Sequence, residues 1–279
     1  FGEEGTCCRI CSMGPCRITP KAPRGICGCD VHGIVARNFL RFTAGGSATH
    51  SDHGREICHT LYQTKEGGNY TVKDPEKLKR IAGEWGIETE GKDIYDLAHE
   101  VAYEALMEYG KPFGYSRWIA RAPKHTQELW ENAEIAPRAI DREVSCSLHM
   151  THMGCSSKPE ALIRQSLRAG LCDGWGGSMC GTEFSDVLFG TPKPVETEAN
   201  LGVMVAENVN IVVHGHDPSL SEMICEYADD PEMIAYAKSF GAKGITVSGV
   251  CCTSNEVAMR RGIPMAGNFL QQENVVLTG

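Results

Sequence analysis

The sequence predicts a mixed fold, in which an N-terminal α-helical domain over residues 1–206 is followed by the start of an α/β Rossmann-like parallel-sheet domain over residues 207–279. In the first region, apolar residues recur at the three- and four-residue spacing of amphipathic helices. Further along, two short β-branched runs, Asn210–Val213 and Gly244–Gly249, enclose the segment Ser219–Phe240, which has the length of a helix. A strand, a helix and a second strand in this order form a βαβ unit, whose two strands are parallel.

Helices are expected along the whole first domain. Apolar periodicity or a capping residue indicates each one, and Gly or Pro residues separate neighbouring helices. The expected helices are Val31–Phe42, which Gly45-Gly46 ends, Ser47–Gln63, Pro75–Gly86 with Asp74 as N-cap, Lys92–Tyr109 with Gly110 as C-cap, His125–Asn132, Arg138–His152 and Pro159–Ala169. In the second domain, a third short strand is expected near Ile263–Met265.

Composition excludes several classes of function. The net charge of −9, from 27 basic and 36 acidic residues, disfavours nucleic acid and anionic membrane surfaces as partners. The longest apolar runs, such as Val275–Leu277, are far shorter than the roughly 20 residues that span a bilayer. We therefore expect a soluble cytoplasmic protein with no membrane span. Because the chain begins at Phe1 and ends within an apolar segment, we expect it to be an internal piece of a longer protein.

The most informative segment is the N-terminal loop, which contains six of the 14 cysteines. They are Cys7, Cys8, Cys11, Cys16, Cys27 and Cys29. From Cys8 onward the spacing is C-x2-C-x4-C-x10-C, in a segment rich in Gly and Pro. Four thiols so close together on a loop suggest the ligands of an iron–sulfur cluster or of zinc.

The uneven spacing of these cysteines favours the iron–sulfur cluster. A structural zinc site usually has two C-x2-C pairs separated by a longer insert. One C-x2-C pair followed by uneven gaps is typical of a [4Fe–4S] cluster, in which each iron binds one Cys. A disulfide scaffold would need a small secreted chain in an oxidising compartment, and this chain is too long for that class. Zinc and disulfides stay open as the less favoured alternatives.

A row of titratable residues lies at intervals of three within one of the expected helices. The row consists of His50, His53, Glu56 and His59. Side chains three residues apart are neighbours on a helix, and imidazoles can pass protons near neutral pH because their pKa lies close to it. A proton path is one interpretation, and a solvated polar face of the helix is the other.

The two expected strands end in residues that can bind metals. His214 and His216 follow the first strand, and Cys251 and Cys252 follow the second. Parallel strands joined by a crossover usually lie close together, so their carboxyl ends share the edge at which open α/β sheets bind ligands. One His and one Cys could therefore bind the same metal, although loop residues of this kind often only form hydrogen bonds.

With these features in place, the chain closely resembles the anaerobic nickel–iron carbon monoxide dehydrogenases, nearly from end to end. The segments that carry the resemblance are GTCCRICSMGPCRI at Gly5–Ile18, GICG at Gly25–Gly28, HSDHGREICHT at His50–Thr60, CGTEFSDVLFGTPKPV at Cys180–Val195, VVHGHDPSLSE at Val212–Glu222 and GVCCTSNEVAMRRGIP at Gly249–Pro264. Together these motifs are highly specific. The resemblance implies an oxidoreductase that interconverts carbon monoxide plus water with carbon dioxide, two protons and two electrons at a Ni–Fe–S cluster.

The resemblance also implies roles for the N-terminal cysteines. The ligands that it implies for a four-iron electron relay, the B cluster, are Cys8, Cys11, Cys16 and Cys27. Cys7 matches one ligand of the D cluster, a [4Fe–4S] or [2Fe–2S] centre that the two subunits of a homodimer share. The second cysteine of that cluster is expected just before Phe1.

For the catalytic Ni–Fe–S centre, the C cluster, the resemblance implies His216 and Cys252 as two ligands, with His214 and Cys251 as close rivals. The other cysteines of this centre, and the lysine and histidine that assist catalysis, are expected beyond Gly279. On this interpretation the chain does not complete its own active site.

The histidine row gains a role from the same resemblance. His50, His53 and His59 match the family's proposed proton path, which favours the proton-path interpretation. Glu56 stands where some relatives have another His, and a carboxylate can also carry protons.

Two other interpretations stay open. One is a hybrid-cluster protein, which reduces hydroxylamine or nitric oxide without nickel, and the other is a non-catalytic iron–sulfur electron-transfer module. The adjacent Cys7-Cys8 and the GVCCTSNE segment favour the dehydrogenase. The partners that this interpretation implies are a second copy of the chain, a ferredoxin-like electron carrier and an acetyl-CoA synthase subunit.

Overall fold

The computed structural model describes residues 2–216 and 218–267. The helices, in chain order, are α1 (Val31–Gln63), α2 (Pro75–Glu84), α3 (Ile94–Gly110), α4 (Lys124–Asn132), α5 (Ile140–Thr151), α6 (Pro159–Cys172), α7 (Ser178–Phe189), α8 (Pro218–Ala228), α9 (Pro231–Ser239) and α10 (Cys252–Arg261). The strands are β1 (Cys7–Cys8), β2 (Cys16–Arg17), β3 (Val209–Val213) and β4 (Ile245–Gly249). The fold is therefore mixed and mainly helical, with small two-stranded sheets.

The chain forms two compact units, each of which is discontinuous in sequence. The first contains residues 1–62 and 99–182, and the second contains residues 63–98 and 183–279. The boundary expected between residues 206 and 207 lies just before β3, where the parallel strands begin. As a division into domains, that boundary stays a prediction.

Helix α1 runs without interruption from Val31 to Gln63, so the helix end expected at Gly45-Gly46 was wrong. Glycine costs a helix only about 1 kcal/mol per residue relative to alanine. Buried residues on both sides of the two glycines, such as Leu40 and Ile57, fix the helix in place through their packing. Tertiary packing therefore outweighs the local propensity for a break.

The core of the first unit lies along one face of α1. Ala36 and Leu40 of this helix are buried against Leu162 of α6, and half-buried Met150 of α5 packs on the same cluster. Near the start of α1, Ile34 packs with Cys8 and Cys29 of the N-terminal loop. The helix therefore supports both the helical core and the cysteine loop.

Most other predicted helices are confirmed, with small differences at their ends. The N-cap prediction is confirmed for α2, because the carboxylate of Asp74 accepts a hydrogen bond from the Lys77 N–H at 2.9 Å. The glycine-rich segment Asp173–Gly177 forms a π-helical turn between α6 and α7. None of the described helices is long and apolar enough to cross a membrane.

In the second unit, β3 and β4 form a parallel pair, in which Val209 lies opposite Ile245 and Val213 lies opposite Gly249. The third expected strand is limited to Met265, which forms parallel bridges with Gly249 and with Ala199.

The segment expected to be one helix between these strands consists of α8 and α9, so that expectation was wrong. The reason is Pro231, which begins α9, together with Asp230, whose side chain accepts hydrogen bonds from the N–H groups of Glu232 and Met233. A proline with a capping residue before it starts a new helix.

Candidate functional site

The N-terminal cysteine loop folds into a short β-hairpin. Strands β1 and β2 are antiparallel, and Cys8 lies directly opposite Cys16. The connecting turn contains Cys11, whose carbonyl accepts a hydrogen bond from the Gly14 N–H at 3.2 Å. A Cβ atom on Gly14 would approach the carbonyl oxygens of Cys8 and Cys11 to 3.3 and 3.4 Å. The turn that gathers these three cysteines therefore favours glycine because the backbones approach closely.

A second turn, just before α1, brings Cys27 back to the hairpin. Its ends are joined by a hydrogen bond from the Gly25 N–H to the Cys29 carbonyl at 2.8 Å. The N–H of Ile26 donates to the sulfur of Cys16 at 3.4 Å and so connects this turn to the hairpin. Backbone hydrogen bonds of this kind stabilise a thiolate, the form of cysteine that binds iron.

The four cysteines that the sequence singled out line a single cavity. Its empty volume is about 330 Å³. The other side chains in its wall include Ile10, Ile26, Cys29, Ile34, Arg37 and Met153. A small, mainly apolar cavity with five thiols in its wall, four of them at the predicted positions, has the donor set of a [4Fe–4S] cluster, so the residues fit that group.

A cluster and a single ion place different demands on the positions of these thiols. Among residues 2–216 and 218–267, no three His, Cys, Asp or Glu side chains converge as ligands of one metal ion. The four ligands of a zinc ion must surround one point. The four cysteines of a [4Fe–4S] cluster instead bind different irons, so they need not converge on one point.

Among the residues that the structure describes, Arg37 carries the one charged side chain in the wall of this cavity, and it is only 2% exposed. Its Nη1 donates to the sulfur of Cys27 at 3.3 Å. Burial opposes the thiolate form of Cys27, but hydrogen bonds from Arg37 and from the N–H groups of Cys29 and Gly154 outweigh it, so the pKa of Cys27 lies below its ordinary value. Burial raises the pKa of Cys29, which favours its neutral thiol.

Cys7 lies outside this cavity, although it is adjacent to Cys8 in sequence. Successive side chains of a β-strand point to opposite faces. The sulfur of Cys7 accepts a hydrogen bond from the Gly2 N–H at 3.3 Å, at a surface that also includes Arg17. The structure therefore separates Cys7 from the four cavity cysteines, and its role in a second cluster stays a prediction.

The histidine row lies on α1, as predicted. His50 is the best-connected member, because its Nδ1 lies 2.7 Å from the carboxylate of Asp173. This hydrogen bond raises the pKa of His50 above its ordinary value and outweighs the opposite effect of burial. Ser178 also donates to the Asp173 carboxylate, at 3.1 Å. Sequence reasoning missed Asp173, since nothing in the sequence connects two residues so far apart.

The other members of the row differ in exposure. The ring of His53 is half-buried beside Gly181, where a Cβ atom on that glycine would lie 3.2 Å from the ring. Glu56 and His59 are exposed. The row therefore extends from a half-buried His50 to an exposed His59, which is the direction that proton exchange with solvent requires.

The strand ends of the second unit bring together one His and one Cys. The Nδ1 of His214 lies 3.1 Å from the sulfur of Cys251, and the Gly215 N–H donates to the same sulfur at 3.0 Å. These two are the rival residues of the sequence interpretation. Of the favoured pair, His216 is half-buried in its loop and Cys252 is exposed as the first residue of α10. The choice between the pairs stays a prediction.

Helix α10, which begins with Cys252, is anchored by a buried ionic network. Arg260 forms ion pairs with Asp186 at 2.7 Å and with Glu222 at 3.3 Å, and all three side chains are buried. Arg260 also pairs with Glu256 at 3.1 Å, and burial is the main cause that raises the pKa of this carboxyl group. Buried charges of this kind need several partners, and these hold the helix in a fixed place. Sequence reasoning did not find this network.

The chain is similar to known proteins along its whole length. Residues 6–279 match the model of the Prismane/CO dehydrogenase family. The chain belongs to this family. The relatives include carbon monoxide dehydrogenase 1 of Methanosarcina mazei, which is 49% identical over 284 residues. They also include the carbon monoxide dehydrogenase/acetyl-CoA synthase subunit beta of Moorella thermoacetica, which is 42% identical over 287 residues. Both alignments cover 100% of this chain.

A solved structure of the Prismane/CO dehydrogenase family also matches the fold. It is an as-isolated Ni-free crystal structure of carbon monoxide dehydrogenase from Thermococcus sp. AM4, produced without CooC maturase. The TM-score is 0.90 at 50% sequence identity, and the match covers 100% of this chain and 45% of that one. The chain likewise spans 45% of the Methanosarcina protein and 42% of the Moorella subunit.

Proposed function

We propose that this chain forms part of an anaerobic carbon monoxide dehydrogenase, which interconverts carbon monoxide plus water with carbon dioxide, two protons and two electrons. The observation that carries the proposal is the single cavity lined by Cys8, Cys11, Cys16 and Cys27. A cluster in this cavity provides the electron transfer that the reaction requires. The identity of 49% to a carbon monoxide dehydrogenase over the whole chain supports the same reaction.

The proposed function has two sites in this chain. We call the N-terminal cysteine loop the electron exit, and the ends of β3 and β4 with His216 and Cys252 the catalytic edge. The four cavity cysteines hold a [4Fe–4S] cluster that carries electrons away. Cys7, on the opposite face of β1, contributes to a second cluster, [4Fe–4S] or [2Fe–2S], that is shared with a second copy of the chain. Together the clusters lead electrons across a homodimer to a ferredoxin-like carrier.

His216 and Cys252 are the proposed ligands of the catalytic Ni–Fe–S centre. When bound, such a centre supplies a nickel for the carbon and an iron that lowers the pKa of a water. The side chains follow parallel strands in a Rossmann-like domain, at the edge where such sheets bind ligands. Cys252 is the first residue of α10 and is exposed, so its sulfur is accessible to a metal.

The histidine row is the proposed route for protons. His50 accepts a proton more readily than a free imidazole because Asp173 stabilises its charged form. His53 and the exposed His59 then extend the row to solvent. Glu56 can take part at the exposed end, since a carboxylate also exchanges protons.

Two proposals about the cellular context accompany this function. A partner of the acetyl-CoA synthase type is supported by the Moorella relative, whose name includes that enzyme. A cytoplasmic location is supported by the use of cysteines as ligands, because thiols stay reduced in that compartment.

Metal analysis and an activity assay of the anaerobically purified holoenzyme test the proposed function. A carbon monoxide dehydrogenase contains nickel together with iron in excess of four atoms per chain, and it reduces an artificial electron acceptor when carbon monoxide is added. Iron in several clusters without nickel, together with reduction of hydroxylamine, would instead identify the hybrid-cluster protein. Four irons per chain and no turnover would identify a pure electron-transfer module.

A further inference from the structure

Arg37 is a buried cation in the wall of the cysteine cavity. Its side chain enters from the second turn of α1, and the residue is 2% exposed. Two of its nitrogens, Nε at 2.7 Å and Nη2, donate to the backbone carbonyl of Ser156. The remaining nitrogen, Nη1, donates to the sulfur of Cys27 at 3.3 Å. One side of the guanidinium group is thus held by the backbone, and the other faces a proposed cluster ligand.

The positive charge of Arg37 has no carboxylate partner within the part of the chain that the structure describes. Its hydrogen bonds there go to one carbonyl oxygen and one sulfur. Burial of an unpaired charge is very costly, and buried charges in proteins are paired or bind ions. The cavity beside Arg37 is the place where a counter-charge fits, and cysteine side chains line it.

A [4Fe–4S] cluster with four thiolate ligands supplies that counter-charge. The cluster is an anion, and its negative charge increases by one when it accepts an electron. A fixed cation beside a ligand sulfur therefore stabilises the reduced form more than the oxidised form. Hydrogen bonds to the sulfurs and the local charge are among the factors that set the potential of such clusters.

We propose that Arg37 is a positioning residue that raises the reduction potential of the four-iron cluster through its charged hydrogen bond to the sulfur of Cys27. This inference rests on the proposed function, since it requires the cluster that Cys8, Cys11, Cys16 and Cys27 are proposed to hold. The consequence is that electrons from the catalytic centre reach this cluster more easily.

Arginine is suited to this role because its five N–H donors form a rigid planar fork. The carbonyl of Ser156 fixes the two nitrogens on one side, which aims the third at Cys27. A glutamine removes the charge, whereas a lysine keeps the charge but cannot reach the carbonyl and the sulfur with the same geometry. The two substitutions therefore separate charge from hydrogen-bond geometry.

The test is an anaerobic redox titration of the holoenzyme, in which electron paramagnetic resonance follows the reduced cluster. The signal of this cluster is identified as the one that Cys11→Ala removes. The variants are Arg37→Gln and Arg37→Lys, and Arg41→Gln serves as the matched control. Arg41 lies one turn further along α1 and donates to the hydroxyl of Thr151 at 2.8 Å, outside the cavity wall.

We expect Arg37→Gln to lower the ratio of reduced to oxidised cluster at least tenfold at a fixed potential, which for one electron is a shift of about 59 mV to more negative potential. The reduction potential of Arg37→Lys is expected to lie between those of Arg37→Gln and the wild type. The potential of Arg41→Gln is expected to equal that of the wild type. An unchanged potential in both Arg37 variants, with the cluster signal intact, overturns the inference. If Arg37→Gln loses the cluster, Arg37→Lys decides: a shift to more negative potential supports the inference, and a wild-type potential overturns it. Absence of the signal from the wild type would overturn the proposed function itself.

Discussion

The N-terminal loop and the strand ends of the second unit differ in whether the predicted ligand residues lie together. In the loop, four cysteines surround one cavity, because a β-hairpin and a turn before α1 fix their backbone. At the strand ends, the contact that forms is between His214 and Cys251, whereas the favoured ligands are His216 and Cys252. Local hydrogen bonds are therefore enough to shape the proposed electron exit. At the strand ends, by contrast, the observed contact and the proposed ligand pair differ.

The largest expected loss of activity comes from substitution of a cysteine in the N-terminal loop. Cys11→Ala should remove the four-iron cluster, lower the iron content by about four atoms per chain and abolish oxidation of carbon monoxide. The measurement is iron analysis together with the activity assay. Cys155→Ala is the matched control, because Cys155 is exposed and is not part of the cavity wall. Full iron content in Cys11→Ala would show that the cavity does not hold a cluster.

Substitution of each histidine at the strand ends distinguishes His216 from His214 as the metal ligand. His216→Ala should abolish oxidation of carbon monoxide and leave the four-iron signal intact. His214→Ala removes one hydrogen bond to Cys251, worth about 1 kcal/mol, so activity should fall by no more than about fivefold. Both variants are compared by activity assay and electron paramagnetic resonance. The reverse order of the two activities would identify His214 as the ligand.

A substitution beside the loop tests how tightly α1 supports it. In Gly33→Ala, the new Cβ would clash with the sulfur of Cys29 and would lie 2.9 Å from the carbonyl oxygen of Ser157. We expect the free energy of unfolding to fall by about 1–3 kcal/mol, the usual cost of overpacking. Gly83→Ala in α2 is the control, because its Cβ would meet nothing within 4 Å and should be neutral or slightly stabilising. Thermal unfolding of both variants measures the difference, and equal melting temperatures would contradict the close packing.

The smallest expected effect concerns His50 and Asp173. The pKa of His50 is raised in the folded state, so its pairing with Asp173 stabilises the protein fully below about pH 6.5, the ordinary pKa of histidine. That contribution is lost as the pH rises through the raised pKa. Asp173→Asn should therefore cost up to about 1 kcal/mol at pH 5.5 and less at pH 9. Melting temperatures at the two pH values check this, and a loss that is larger at pH 9 would be inconsistent with the pairing.

The sequence predicted correctly those features that depend on interactions between residues close together in the chain. The cysteine spacing predicted that Cys8, Cys11, Cys16 and Cys27 lie together, and Asp74 with Pro75 predicted the start of α2. It failed where distant packing decides, as at Gly45-Gly46 inside α1. It also could not find Arg37, whose role depends on contacts with Cys27 and with a carbonyl far along the chain.

The same distinction applies to the candidate site. Asp173 and the ionic network around Arg260 join residues that are far apart in sequence, so no motif indicated them. A new helix begins at Pro231, and the sequence has a local signal for it, an Asp directly before a Pro. The helical periodicity on both sides obscured this signal. A meeting of one His and one Cys at the strand ends was predicted with His216 and Cys252 as the favoured pair, and the observed contact joins their rivals His214 and Cys251.

In the proposed function, electrons released at the strand ends leave through the cysteine loop. The test of this electron path adds carbon monoxide to the wild-type and His216→Ala holoenzymes. Electron paramagnetic resonance then shows whether the four-iron cluster has been reduced. We predict that carbon monoxide reduces the cluster in the wild type, whereas in His216→Ala only dithionite does so. Reduction by carbon monoxide in His216→Ala, or a wild-type cluster that carbon monoxide leaves oxidised, would contradict the claim.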